Sequence, residues 1–260
     1  MAKNRLIAYL QKRGLGIISL TILIIIWQLL SVFVIKDFFI LPSFSAVVVS
    51  LYRLGREIPI DTLISFLHFG MGIAVAMGLG VPIGAIMGWF RIADRIIDPV
   101  VELIRPIPPL AWIPFAIIWF GLTHGSASFI IFVGAIFPIL INTYAGFRGT
   151  PKVLVEAARV LGCTKNLDLM RSVALPSALP SVAAGVRIAM GIGWMCLVAA
   201  EIFGRSSGLG YKLWHYYQLH QMDNVIAYMI ILGLIGYLLD WCFRRFAEER
   251  LLRWREQIVA

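Results

Sequence analysis

The chain has 260 residues, of which 60% are apolar and only 14% are charged, and its formal net charge is +9. A typical soluble domain is about 45–50% apolar and about 25% charged, so this composition excludes an ordinary soluble protein and leaves no room for a separate soluble catalytic domain. In a membrane protein the excess of Lys and Arg reflects topology rather than nucleic-acid binding, because positive residues concentrate in cytoplasmic loops.

Apolar runs that are long enough to cross a bilayer recur along the chain. The first is too long for the apolar region of a cleaved signal peptide, which has about 7–15 residues. The sequence predicts six spans, at residues 15–35, 63–89, 107–122, 126–147, 181–203 and 225–243. A re-entrant segment is the alternative for the third span, because four prolines crowd its beginning: Pro106, Pro108, Pro109 and Pro114.

The distribution of basic residues decides between these alternatives. Six spans with a cytoplasmic N-terminus place most of the 23 Lys and Arg residues inside, including the cluster in residues 148–176. Without the third span, that cluster would lie on the opposite face, against the positive-inside rule. We therefore predict an all-α integral membrane protein with both ends in the cytoplasm and one domain over residues 1–260.

Small residues recur every four positions in the second span, at Gly72, Ala76, Gly80, Gly84 and Gly88. This spacing places a groove on one helix face, which lets another backbone approach closely in lipid. The pattern predicts tight packing inside the bundle, and a role in dimerisation or gating is the alternative.

The predicted cytoplasmic loop from Thr150 to Pro180 has the pattern of two short helices. Thr150 and Thr164 are expected to cap their N-termini, Gly162 to end the first helix in a left-handed conformation, and Leu175-Pro176 to end the second. The first helix carries an apolar stripe of Val153, Leu154, Ala157, Ala158 and Leu161. Such a face must be covered, either by the protein's own bundle or by a soluble partner.

The stretch EAARVLG at Glu156 to Gly162, followed by Leu175-Pro176, resembles the EAA loop of ABC importer permeases. Four further stretches resemble the nitrate, sulfonate, taurine and bicarbonate branch of that family. They are LPSFSAVV from Leu41, DPVVELIRPIPPLAWIPFAIIWFG from Asp98, FPILINTYAGFR from Phe137, and GVRIAMGIGWMCLVAAEIFGRSSGLGY from Gly185.

The resemblance implies the fold of a type I ABC importer permease, with six transmembrane helices, in the cell membrane of a prokaryote. It implies import of a small oxyanion-type solute: taurine or an alkanesulfonate, nitrate, or bicarbonate. It also implies coupling to a separate ATPase through Glu156, Ala157, Ala158, Gly162, Leu175 and Pro176. The implied partners are two ATP-binding subunits, a second permease copy in a homodimer, an extracytoplasmic solute-binding protein and membrane lipid. ATP and Mg²⁺ are then expected on the ATPase subunits, with no cofactor and no enzymatic activity in this chain.

Polar residues inside spans are functional candidates, because they are costly there. Arg187 is expected either to meet an anionic substrate or to pair with Asp240. Glu201 is expected either to reach the interface at the outer end of the fifth span or to line a gate. Asn142 and Trp194 are further candidates for the substrate pathway, although packing within the bundle is their commoner use.

Two other classes of function remain as alternatives. An ion-gradient-driven transporter or channel would need ionisable groups near the middle of the membrane and inverted repeats, and the sequence offers only Arg187. A membrane-embedded hydrolase would need a nucleophile and base, or a metal set, within the spans. The four histidines show no metal-binding spacing, and the chain contains no G-x-x-x-x-G-K-[ST] phosphate loop. Energy for transport must therefore come from a partner or from a gradient.

Overall fold

A computed structural model of the protein describes Gly16, residues 18–204 and residues 207–247, and none of these residues lies in a β-strand. The predicted cytoplasmic N-terminal segment before residue 15, residues 205–206 and residues 248–260 fall outside the described residues. The helices are α1 (Ile18–Ile35), α2 (Phe44–Arg53), α3 (Ile58–Trp89), α4 (Arg91–Ile104), α5 (Ile113–Phe120), α6 (His124–Arg148), α7 (Lys152–Val160), α8 (Asn166–Leu169), α9 (Leu175–Gly204), α10 (Leu209–Gln218) and α11 (Met222–Phe246).

The described chain divides into two compact units. The first contains the residues up to 59 and residues 212–231, and the second contains the rest. Within the first unit, the indole nitrogen of Trp27 donates a hydrogen bond to the carbonyl oxygen of Pro42 at 3.0 Å, and Ser50 is hydrogen-bonded to Asn224. Every candidate site residue belongs to the second unit, and the single domain over residues 1–260 stays a prediction.

Five helices are long and apolar enough to cross a membrane: Ile18–Ile35, Ile58–Trp89, His124–Arg148, Asn166–Phe203 and Met222–Phe246. Helices suit a bilayer because they satisfy their backbone hydrogen bonds internally. The all-helical membrane fold is thus confirmed, while the number of spans is five or six.

The third predicted span, 107–122, is not a straight helix of its own. Arg91–Ile104 and Pro109–Phe120 form a pair bent by 87°, because Pro106, Pro108 and Pro109 remove backbone donors and clash with a continuing helix. The second arm is about 18 Å long at 1.5 Å per residue, which is short of a hydrocarbon core of about 30 Å. The third predicted span therefore corresponds to one arm of a bent pair, and its crossing of the membrane stays a prediction.

The small-residue face of the second span packs against α6, as the bundle-packing interpretation predicts. A Cβ atom added at Gly84 would lie 2.5 Å from the carbonyl oxygen of Leu140, and one at Gly88 would lie 2.7 Å from the Cβ of Phe147. Ala76 has no exposed surface. The glycines therefore allow the α3 and α6 backbones to approach more closely than any side chain would.

Glycines also allow a close approach between α6 and α9. A Cβ atom added at Gly185 on α9 would lie 2.6 Å from the Cβ of Asn142, and one at Gly146 on α6 would lie 2.8 Å from the Cβ of Ser181. Among the candidate spans, α6 has the largest buried share. It is the central helix of the second unit, with α3 and α9 packed against it.

We predict that Gly84→Ala lowers the melting temperature of the detergent-purified protein, because the added methyl group has no space against α6. Overpacking of this kind costs about 1–3 kcal/mol. Gly78→Ala is the matched control, since nothing lies within 4 Å of its added Cβ and Ala is favoured over Gly in a helix by about 1 kcal/mol. Equal melting temperatures for the two variants, measured by circular dichroism, would contradict the close α3–α6 approach.

Candidate functional site

The loop between α6 and α9 begins with helix α7, which carries Glu156, Ala157 and Ala158. The helix ends at Val160, and Gly162, two residues later, has a φ angle of +94°. The amide of Gly162 donates to the carbonyl oxygen of Arg159, and that of Cys163 donates to Ala158, which is the hydrogen-bond pattern of a Schellman C-cap. The predicted left-handed position at Gly162 is therefore confirmed.

The two predicted N-caps are wrong. The hydroxyl of Thr150 donates backward to the carbonyl oxygen of Phe147 at 2.8 Å, so Pro151 precedes the first residue of α7 with no side-chain cap. Helix α8 begins after Lys165 rather than Thr164. At Thr150 the backward hydrogen bond of the hydroxyl replaces the expected capping bond.

The second short helix does not end at Leu175-Pro176. A π-helical turn, Met170–Ala174, joins α8 to α9, and the amide of Leu175 bonds to the carbonyl oxygen of Met170 five residues earlier. This shift of register occurs just before Pro176, which has no backbone donor. The loop therefore continues into α9 as one helical segment, Asn166–Phe203.

A groove lies between α7 and the start of α9. It has a volume of about 670 Å³, and its lining residues include Leu154, Ala157, Ala158, Leu161 and Pro176. Leu161 is 88% exposed at its edge. Three of the six residues that resemble the EAA loop, Ala157, Ala158 and Pro176, thus line one groove that the described chain leaves open.

The base of this loop is fixed to the bundle. Ala174 and Ala178 are fully buried in a cluster with Ala85 of α3 and Phe147 of α6. Ala178 also lies beside Gly146, where an added Cβ would come within 3.1 Å of its methyl group. The C-terminal end of the loop is therefore packed directly against α3 and α6.

Farther along α9, Arg187 pairs with Asp240 of α11. The Nε and NH2 groups of Arg187 donate to the two carboxylate oxygens of Asp240 at 2.7 and 2.9 Å, which is the bidentate geometry of a strong charge-assisted pair. The two side chains are 46% and 49% exposed. The predicted pairing of these residues is confirmed, and the pair lies at the surface of the second unit.

A cavity of about 200 Å³ adjoins this pair, lined by Arg187, Asp240 and mainly apolar residues that include Met190, Trp194, Met195, Leu239 and Phe243. The indole of Trp194 fits beside Gly236, where an added Cβ would lie 2.9 Å from its nitrogen. That nitrogen donates to the carbonyl oxygen of Leu232 at 3.0 Å. Trp194 thus presents a fixed apolar wall to the cavity.

Asn142 and Glu201 do not reach this cavity. The Asn142 amide donates to the carbonyl oxygen of Pro138 within its own helix at 2.8 Å, and its Cβ faces Gly185. Glu201 has no exposed surface, so the alternative in which it reaches the interface is wrong. Of the four pathway candidates, the structure brings together Arg187 and Trp194.

Glu201 is the centre of a buried polar network at the far end of α9. Its oxygens accept hydrogen bonds from Ser65 Oγ at 2.8 and 3.0 Å, from His68 Nδ1 at 2.8 Å and from the amide of Gly210 at 2.8 Å. His68 Nε2 lies 2.7 Å from Nδ1 of His124. These bonds satisfy a carboxylate that would be costly to bury without partners.

The residues from Gly208 to Gly210 lie against the Glu201 side chain. Gly208 has a φ angle of +108°, and a Cβ there would overlap the Glu201 carboxylate. The amide of Leu209 donates to Ser65 Oγ at 2.9 Å. Sequence reasoning treated the histidines as scattered; the usable signal was that Ser65 and His68 share a face of an apolar helix and need a polar partner.

Comparisons with known proteins agree with this geometry. The profile of the family described as binding-protein-dependent transport system inner membrane component matches residues 80–249. An ABC transporter permease protein of Methanocaldococcus jannaschii is 44% identical over 242 residues, with 90% of both chains covered. The aliphatic sulfonates transport permease protein of Bacillus subtilis is 35% identical over 242 residues, covering 92% of this chain and 87% of the relative.

Two further likenesses extend the comparison. The bicarbonate transport system permease protein of Synechococcus elongatus is 38% identical over 181 residues, covering 69% of this chain and 65% of the relative. The structure of the MetNI methionine ABC transporter in inward-facing conformations aligns with a TM-score of 0.61 and 23% identity. That alignment covers 75% of this chain and 95% of the other, and at this identity it shows the fold alone.

We predict that Glu201→Gln lowers the melting temperature of the purified protein. The amide would turn a donor toward neighbouring donors, and each buried group left unsatisfied costs about 1–3 kcal/mol. Glu57→Gln is the control: Glu57 pairs with Lys212 at 2.7 Å but is 49% exposed, and a surface pair is worth about 0–1 kcal/mol. The Lys212 ammonium lowers the pKa of this carboxyl, so it is ionised at neutral pH. A melting temperature for Glu201→Gln no lower than that of Glu57→Gln would contradict the network.

Proposed function

Since the chain belongs to the family of binding-protein-dependent transport system inner membrane components, we propose that it imports a small oxyanion-type solute. It is a multi-pass membrane permease subunit of an ABC importer and a non-enzymatic component. Family membership also implies partners that hydrolyse ATP and that bind the solute. The proposal concerns its substrate, its coupling surface and its assembly.

The observation that carries the coupling proposal is the open apolar groove between α7 and α9. Its exposed leucines would be stabilised by burial against a partner protein. An amphipathic helix that binds in a groove is a common mode of docking. In our proposal the ATPase binds this surface of the permease. The permease residues that couple to the ATPase are Glu156, Ala157, Ala158, Gly162, Leu175 and Pro176. ATP and Mg²⁺ bind the ATPase, and movement of its subunits displaces the loop together with α9.

The substrate class rests on two supports. Relatives that cover most of this chain are a sulfonate permease and a bicarbonate permease by name. The chain itself places an arginine, the residue best shaped to bind a planar or trigonal oxyanion group, within a candidate span. Taurine or an alkanesulfonate, nitrate and bicarbonate share that head-group chemistry.

The proposed assembly is two permease copies, two ATP-binding subunits and an extracytoplasmic solute-binding protein, in the cell membrane of a prokaryote. Six spans and cytoplasmic ends remain our topology, with the bent pair as the third span. A second copy would cover the half-exposed Arg187–Asp240 pair, which is unfavourable against lipid. In this arrangement Arg187 and Trp194 line the pathway. Asn142 and Glu201 do not line it but stabilise the packing of the helices that form it.

The coupling proposal predicts that the ATP-binding subunit co-purifies with the wild-type chain but is reduced at least several-fold by Gly162→Val. Valine at a φ angle of +94° is strained, so the C-cap of α7 must rearrange and the groove with it. Glu156→Ala should also weaken retention, since Glu156 is exposed on the same helix.

Gly55→Val is the control, because Gly55 has open space and lies far from this loop in the sequence, in the 3-10 turn that follows α2. Each variant is first checked for membrane insertion and for its melting temperature. Retention of the ATPase by well-folded Gly162→Val, or no association with the wild type, would contradict coupling through this loop.

A further inference from the structure

The Arg187–Asp240 pair combines a strong bidentate geometry with exposure, within helices that are apolar along most of their length. Ion pairs in spans are normally turned toward the interior of the protein or toward water. Here both partners are about half exposed, and they adjoin the cavity of about 200 Å³. The cavity exceeds the share of liquid volume of a water molecule, about 30 Å³, several times over. It therefore has room for a small organic ion.

The cavity beside the pair is charged at one corner and apolar along its other walls. Arg187 and Asp240 form one charged corner, and the walls beside them are the thioethers of Met190 and Met195, the indole of Trp194 and the side chains of Leu239 and Phe243. The Trp194 nitrogen is already bonded to Leu232, so this ring offers its apolar surface. A ligand that suits these walls has one charged end and an apolar remainder.

The carboxylate of Asp240 accepts hydrogen bonds from the Nε and NH2 groups of Arg187. A sulfonate head group also presents two oxygens to the same fork of donors. Thioether and aromatic walls are adaptable apolar contacts for a short alkyl chain. Nitrate and bicarbonate lack such a chain, so they would leave these walls without a ligand contact.

We propose that this cavity is a transient binding site for short alkanesulfonates, in which the sulfonate displaces Asp240 from Arg187. The inference rests on the proposed import of an oxyanion and narrows its substrate class. Asp240 acts as a tethered substitute for the substrate: it holds Arg187 in position in the empty site, and it competes with the bound anion and so promotes release. Trp194 and the two methionines select for the alkyl chain.

This role predicts opposite effects for the two members of the pair. Arg187→Gln should weaken binding of propane-1-sulfonate by about tenfold or more, as expected for the loss of a charge-assisted bidentate contact. Asp240→Asn should strengthen it several-fold, because the competitor has lost its charge. A purely structural pair predicts instead that both single changes are equally harmful and that the neutral double variant, Arg187→Gln with Asp240→Asn, restores wild-type behaviour.

The test is equilibrium binding of radiolabelled propane-1-sulfonate to the purified permease–ATPase complex without the binding protein, with nitrate and bicarbonate as competitors. The expected result is tighter binding by Asp240→Asn, weaker binding by Arg187→Gln and by the double variant, and poor competition by nitrate and bicarbonate. The double variant keeps the test decisive if Arg187→Gln alone fails to fold, because it leaves no unpaired charge.

Recovery of wild-type affinity in the double variant, or no binding to the wild-type complex, would overturn the inference. Uptake by the complete importer in proteoliposomes separates this result from a failure of the proposed function. If the wild type imports nitrate or bicarbonate but not the alkanesulfonate, the site assignment fails while oxyanion import stands. If it imports none of these anions, the proposed function itself fails.

Discussion

The close approach of three helix backbones is the constraint on which the rest of the second unit depends. Without an apolar driving force between helices in lipid, contact requires small residues that let dispersion forces act over a large area. Gly72, Gly84 and Gly88 provide this against α6, and Gly146 and Gly185 provide it between α6 and α9. As a result α3, α6 and α9 are packed with no room for an added methyl group at these positions.

This packing gives α9 its functional importance. One end of the continuous helical segment forms the apolar groove together with Ala157 and Ala158 of α7. Its middle carries Arg187 and Trp194 on the cavity, and its other end carries Glu201, tied to α3 by Ser65 and His68. A force applied at the groove would therefore act on α9, which is fixed at its other end by the Glu201 network. The candidate substrate site lies between these two ends. This arrangement suits transmission of force and needs no chemistry in this chain.

Sequence reasoning succeeded where one local rule dominated. The glycine spacing in the second span predicted its packing face, Gly162 predicted the left-handed cap, and the cost of charges in spans predicted the pairing of Arg187 with Asp240. It failed where several local options competed, as at Thr150, whose hydroxyl bonds to the preceding helix, and at Pro176, which a π-helical turn accommodates. The Glu201 network was missed because His68, His124 and Glu201 meet only in three dimensions. The prolines around Pro108 indicated a re-entrant segment as the alternative, and the structure has an 87° bend there.

The energy source of transport is the most direct test of this account. The complete importer is reconstituted into proteoliposomes with ATP enclosed on the ATPase side, and uptake of a radiolabelled oxyanion is measured in the presence of the solute-binding protein, with and without ionophores that collapse proton and sodium gradients. We predict uptake that requires both ATP hydrolysis and the binding protein and is insensitive to the ionophores. Uptake that proceeds without ATP and is abolished by an ionophore would contradict the account and establish a gradient-driven transporter.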